Sequence, residues 1–177
     1  MQSQIRIRNL ETLQERYPQE PEIWAVDVDR QCIFRLRKQQ KPDKAPVSTS
    51  RFGLGNVKGS LKTPLGPHRV CEIIGTDALL GQPFKSRVPF GAPLRQWTQG
   101  EGDAILTRIL WLDGLLPDLN HHSKSRYIYI HGTHQEEKLG SPASQGCIRM
   151  GNETLARWTN DLQHHLPLVW IGHMTDI

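Results

Sequence analysis

A mainly β, single-domain fold is what the sequence predicts, and three observations carry it. Residues 105–112 have strand character, with Ile105, Thr107, Ile109 and Trp111 alternating against Leu106, Arg108, Leu110 and Leu112. Two shorter apolar runs, 23–28 and 31–36, flank Asp29-Arg30 at hairpin spacing. Glycine and proline punctuate the remaining stretches, and only two segments have helical spacing. The 177 residues suit one domain with a real core. A hydrophobic content of 37% with 23% charged residues is that of a globular protein, not a disordered or membrane one.

In chain order, residues 4–17 form an amphipathic helix, with Leu10, Leu13 and Tyr17 on one stripe and Pro18 ending it. The 23–36 hairpin follows, with Cys32 as a core residue. Residues 37–46 are basic and contain proline, an exposed loop. Residues 1–44 are therefore a helix and hairpin packed on a domain spanning 45–177. From 47 to 76 the pattern is strand, long loop, strand, with a Lys62-Thr63-Pro64-Leu65-Gly66 turn and with His68 and Cys71 in structural positions. Residues 77–102 are irregular and long enough to cover a cleft, where Arg87, Arg95 and Trp97 would meet a ligand; surface placement is the default for such residues. The alternating strand runs over 103–116, with Trp111 read as core. His121 and His122 lie in a polar segment with no identifiable partners for a metal. Residues 126–130 form a strand that puts Tyr127, Tyr129 and His131 on one face. A helix spans 153–165 with Asn152 as N-cap and Leu155, Trp158 and Leu162 buried, and 167–172 is the last strand.

The chemistry concentrates between His131 and Met150, HGTHQEEKLGSPASQGCIRM. His131 follows a strand and leads into a glycine turn; Cys147 follows Ser144-Gln145-Gly146. A loop folding back over that interval brings an imidazole to a thiol, the arrangement that makes a thiol a nucleophile. Gly146 lets the backbone turn sharply and leaves amides open for an oxyanion. Arg149, two residues past Cys147 on an extended segment, shares its face and is suited to gripping a carboxylate. Tyr129 lines the cleft beside His131. The other interpretation of the same residues is a buried, inert cysteine and a histidine that closes a turn.

The string HGT, a Gly-Ser-Pro loop, then S-x-G-C-I-R-M resembles the signature of the L,D-transpeptidase catalytic domain, the YkuD type. The Thr-Pro-x-Gly turn at 63–66 resembles one in the same family. The family has histidine immediately before Gly-Cys, where this chain has Gln145, which cannot titrate. The resemblance covers roughly residues 45–150 and implies a predominantly antiparallel β-sandwich or barrel with the site at one end. It implies that Cys147 attacks an L-to-D peptide bond in a peptidoglycan stem peptide, with His131 as base, the Gly132 carbonyl orienting it, and amides near Gly146 and Cys147 holding the oxyanion. Arg149, Ser144, Gln145 and Tyr129 would contact substrate, and neither metal nor cofactor is required.

The N-terminal residues carry Arg6, Arg8, Glu11, Glu15 and Arg16, which interrupt any apolar leader, and the three cysteines have no disulfide or zinc spacing. A cytoplasmic setting is therefore expected, and periplasmic only if a leader has been removed. Within the family this favours an L,D-carboxypeptidase trimming muropeptide tetrapeptides during murein recycling. The alternatives are an L,D-transpeptidase that crosslinks or exchanges D-amino acids in the wall, and a non-catalytic muropeptide-binding module. A formal charge of +4 without a basic run interleaved with aromatics excludes nucleic acid, and no segment spans a membrane.

Overall fold

Eleven β-strands and two short helices make up the computed structural model, which describes residues 5–94, 103–162 and 165–175. In order they are β1 (Arg6–Ile7), α1 (Leu10–Arg16), β2 (Glu22–Asp27), β3 (Cys32–Arg37), β4 (Asp43–Ser48), β5 (Gly66–Ile74), β6 (Pro83–Lys85), β7 (Val88–Pro89), β8 (Ile105–Gly114), β9 (Tyr129–Gly132), β10 (Ile148–Met150), α2 (Asn152–Asn160) and β11 (Leu168–Met174). The hydrogen-bonded path β11–β2–β3–β4–β10–β9–β8 closes on itself, because β5 pairs with both β8 and β11. Closure leaves no free edge in that ring. Pairing is predominantly antiparallel, as expected, with parallel exceptions at β1–β11, β2–β11 and β9–β10.

Alternation decides what each strand buries. Trp24, Val26, Ile33, Val47, Leu110, Leu112, Ile130, Ile148, Met150, Val169 and Ile171 form the inner core, which Leu155 and Trp158 of α2 join. Trp158 meets Trp24 edge to face, with ring centroids 5.3 Å apart. The intervening residues of β2, β3 and β11 (Ile23, Ala25, Cys32, Phe34, Leu36, Leu168 and Trp170) point the other way, under Leu13 of α1 and Ile7 of β1. These strands are thus covered on both faces, which is why 23–28 reads as a continuous apolar run.

Four local expectations fail, each for an identifiable reason. The helix predicted over 4–17 holds only for Leu10–Arg16, with Asn9 capping it by accepting from the Thr12 amide; Arg6 and Ile7 are drawn into pairing with His173 and Met174. Part of the loop predicted over 37–46 is β4: Ala45 and Val47 enter the core, and Pro46 lies where pairing passes from β3 to β10 and a donor is least missed. The boundary drawn at 44/45 therefore falls inside a barrel strand. The strand predicted over 126–130 begins only at Tyr129, since Tyr127 has φ +58. Asn152 is the first helical residue rather than the cap, and Gly151 takes the cap position. The 77–102 stretch contributes the small β6–β7 hairpin; Arg95 and Trp97 lie outside the described residues.

His68 is fully buried, its Nδ1 2.9 Å from the Gly66 carbonyl and its Nε2 2.9 Å from the Ser123 hydroxyl. Burial pushes its pKa down from 6.5 to about 4. Between those values the unfolded chain binds a proton that the folded chain does not, so stability falls as pH drops from about 6.5 to 4. The expected loss is about 3 kcal/mol from this group. Denaturant titrations at pH 7 and 4.5 measure it, and His68→Gln is expected to flatten the dependence.

Candidate active site

β9 and β10 run parallel, pairing Ile148 with Ile130, Arg149 with His131 and Met150 with Gly132. Ile130, Ile148 and Met150 face the barrel interior. Alternation turns Tyr129, His131 and Arg149 to the outer face, and Cys147, one step before β10, joins them beside Tyr129. The candidate site is therefore on the outer wall of the barrel, over β8, β9 and β10, rather than at its end. Phe84 of β6 and Ala78 reach over it from the covering segment.

His131 is 1% exposed, and its Nδ1 donates to the Gly132 carbonyl at 2.7 Å. That contact fixes the tautomer, leaving Nε2 unprotonated to act as a base. Gly132 has to be glycine: a Cβ there would stand 2.2 Å from Asn152 Oδ1 and 2.7 Å from the Leu106 carbonyl oxygen. Asn152 is held in turn, accepting from the Thr107 hydroxyl at 2.6 Å and donating to the Thr133 carbonyl and to Glu136. Thr107 has φ +70 inside the bulge where β8 slips against β9, next to His131.

Cys147 is half-buried, and its thiol donates to the Tyr127 carbonyl at 3.4 Å. Burial pushes the thiol up to about 12, despite the Tyr129 amide, Arg149 and Arg126, which favour the thiolate. Burial also pulls His131 below the ordinary histidine value, against Asp103 and the Gly132 contact. Both shifts favour the neutral forms, a thiol and an imidazole on one face of neighbouring segments.

The loop before the nucleophile is held from below. Gly146 has φ +125, a conformation glycine permits. Its carbonyl accepts from the Thr63 hydroxyl at 2.9 Å, and Thr63 also accepts from the Ser50 amide at 3.0 Å. Ser144, expected to touch substrate, is fully buried; its hydroxyl donates to the Cys147 carbonyl at 2.6 Å and accepts from the Gly146 amide at 3.3 Å. It shapes the turn and has no surface to offer a ligand. The Gly146 amide, expected to serve an oxyanion, is engaged there too. Gln145 is exposed beside the nucleophile.

Arg149, expected to grip a substrate carboxylate, already has one. It is buried, its Nε 2.7 Å from Asp103 Oδ1, and its Nη1 donates to Gln135 Oε1 at 2.9 Å. The charges of this pair act on both groups, Asp103 raising and Arg149 lowering the pKa of His131 and of Cys147. Trp111, expected in the core, is half-buried on the face that carries Cys147: its ring stacks on Tyr127 at 5.8 Å and meets Tyr129 edge-on at 6.0 Å. Tyr129 is buried, and its hydroxyl accepts from Arg87 at 3.3 Å. Arg126 donates to the Gly55 and Lys62 carbonyls and ties the 55–62 loop to the site. Sequence reasoning missed Asp103, Thr63, Ser50 and Arg126, which reach the site from outside the 131–150 stretch, and Gln135, which lies within it. Of these only Thr63 carried a signal, the Thr-Pro turn.

Among the described residues no group of three His, Cys, Asp or Glu side chains is placed to share an ion, and no helix is long and apolar enough to cross a membrane.

Against curated proteins the sequence gives no match. Among solved structures, it is similar to an L,D-transpeptidase from Mycobacterium smegmatis, with 14% identity, 86% of this chain and 58% of that one covered, and a TM-score of 0.52. L,D-transpeptidase 3 from Mycobacterium tuberculosis, in complex with a faropenem-derived adduct, gives 15% identity, 87% and 61% coverage, and 0.53. The L,D-transpeptidase of Xylanimonas cellulosilytica gives 16%, 86% and 60%, and 0.52. This chain thus spans about three fifths of those chains, and the likeness is one of fold. The family model for the L,D-transpeptidase catalytic domain, YkuD, matches residues 21–164, from β2 through α2, and includes every ring strand but β11 and every side chain placed around Cys147. The chain belongs to the L,D-transpeptidase catalytic domain family.

Proposed function

We propose that the protein is a cysteine-dependent L,D-carboxypeptidase that removes the terminal D-alanine from peptidoglycan stem tetrapeptides. One observation carries the reading: Cys147 and His131 share the outer face of adjacent strands, with the His131 tautomer fixed by the Gly132 carbonyl. His131 Nε2 takes the thiol proton as sulfur attacks the carbonyl carbon at the L-configured centre. The Cys147 amide holds the oxyanion. The C–N bond breaks, His131 returns the proton to the departing D-alanine nitrogen, and a thioester remains. Water, deprotonated by His131, then releases the tripeptide and the thiol.

Water as acceptor is supported by the half-buried sulfur and by exposed Gln145 next to it, an amide that can orient a water without titrating. A cytoplasmic role in muropeptide recycling goes with this reading. An amine acceptor would make the same thioester a transpeptidation intermediate.

The test is incubation with a purified tetrapeptide, with and without a D-amino acid, followed by mass spectrometry. Loss of one D-alanine, unchanged by added D-amino acid, is the expected result. Exchange in its place would assign transpeptidation, and binding without either would assign a muropeptide-binding module.

A further inference from the structure

Three arginines approach the nucleophile, and each has a different kind of partner. Arg149 is buried against Asp103 and Gln135. Arg126 is spent on two backbone carbonyls. Arg87 differs from both. Its Nη1 donates to the Tyr129 hydroxyl at 3.3 Å, and its guanidinium lies over the faces of Trp111 at 4.6 Å and Tyr127 at 5.1 Å. Among the described residues it forms no ion pair with a carboxylate; Glu72 is the one carboxylate whose charge reaches it.

The surroundings suit a ligand contact. Aromatic faces hold a guanidinium in place without neutralising it, and leave donors at its edge for a two-point bond to a carboxylate. Ser86 and Arg87 both have positive φ, 49 and 67, in the tight turn that joins β6 to β7. Neither is glycine, so the turn takes a conformation that ordinary side chains resist, and it delivers Arg87 to the aromatic shelf. That shelf adjoins the sulfur: Tyr129 is the β9 residue beside Cys147, and Trp111 and Cys147 pack in one cluster with it.

We propose that Arg87 is a specificity-determining residue that binds the free C-terminal carboxylate of the peptide presented to Cys147. It takes the role that Arg149, already paired, is not free to perform. The inference rests on reading the cleft as an acyl-transfer site for a carboxylate-terminated peptide. In such a substrate the carboxylate lies one residue beyond the attacked carbonyl, and the aromatic shelf lies beside the thiol.

The test measures binding of the stem tetrapeptide and of its C-terminal amide to Cys147→Ser protein by calorimetry, with Arg87 intact, Arg87→Lys and Arg87→Ala. A charge-assisted contact of this kind predicts that the acid binds roughly 10- to 100-fold more tightly than the amide. Arg87→Ala is expected to abolish that ratio by weakening the acid alone, and Arg87→Lys to retain part of it. Equal affinities for acid and amide with Arg87 intact, a preference that survives Arg87→Ala, or no binding of either peptide would overturn the inference. The proposed activity fails separately. Protein with Cys147 intact that binds the acid selectively but releases or exchanges no D-alanine removes the enzyme and leaves Arg87 standing; turnover without acid preference does the reverse.

Discussion

Cys147→Ala protein is expected to release no D-alanine from a stem tetrapeptide, a fall of roughly 10⁴-fold or more in kcat/KM. The alanine leaves no atom to form the thioester, and Cys32 and Cys71 sit elsewhere, Cys32 buried under α1 and Cys71 donating to the Trp111 carbonyl on β8. His131→Ala should lose nearly as much, and the double variant no more than the worse single one, because base and nucleophile act as a unit. The pH profile of the intact protein adds a second check. Catalysis needs His131 unprotonated, and its pKa is held below 6.5, so kcat/KM should rise from acid pH and level off by about neutrality. It should then stay flat, since the thiol remains protonated up to about 12. A bell-shaped profile centred near neutral pH, or turnover that persists in Cys147→Ala, would refute this mechanism.

That profile depends on how each polar group is buried and paired, which the order of residues does not give. That His131 and Cys147 come to one face was legible because they lie within one short signature; the Gly146 amide, expected to serve an oxyanion, is instead engaged by Ser144. The fold class was legible for a similar reason: strand-like runs at 23–28, 31–36 and 105–112 are a property of neighbours, and strands form over them. What sequence could not supply is the partner of each polar group. Arg149 looks like a free cation until the chain folds and Asp103, at the mouth of β8, closes on it. Ser144 looks exposed until Thr49 and Ser50 come up beneath it, with the Thr49 carbonyl accepting from the Ala143 and Ser144 amides. Trp111 obeys the strand period, but the period does not say that it packs with Tyr127, Tyr129 and Cys147 on the outer face. The thiol's raised pKa comes from burial, and the residues it packs against, Phe84, Ile109 and Tyr129, come from three separate strands.

The second large effect belongs to the backbone that carries the base. Gly132→Ala is expected to destabilise the protein by about 3 kcal/mol and to cut activity in the fraction that folds. The new Cβ would meet Asn152 Oδ1 at 2.2 Å and the Leu106 carbonyl oxygen at 2.7 Å. Neither can give way cheaply. Leu106 is a backbone atom paired across β8–β9, and Asn152 is held by Thr107, Thr133 and Glu136. Relief requires β9 to shift outward, which moves the Gly132 carbonyl that receives the His131 Nδ1–H. A ring freed from that contact can take the other tautomer and present a proton, not a lone pair, to the thiol. Loss of kcat should therefore exceed any change in KM. Gly91→Ala is the control: a Cβ there meets nothing within 4 Å, and φ +64 alone should cost only about 1 kcal/mol. Thermal unfolding and steady-state kinetics on the two variants separate the outcomes. A Gly132→Ala protein as stable and as active as Gly91→Ala would mean that Asn152 does not stand guard behind the base, and that His131 keeps its orientation by some other contact.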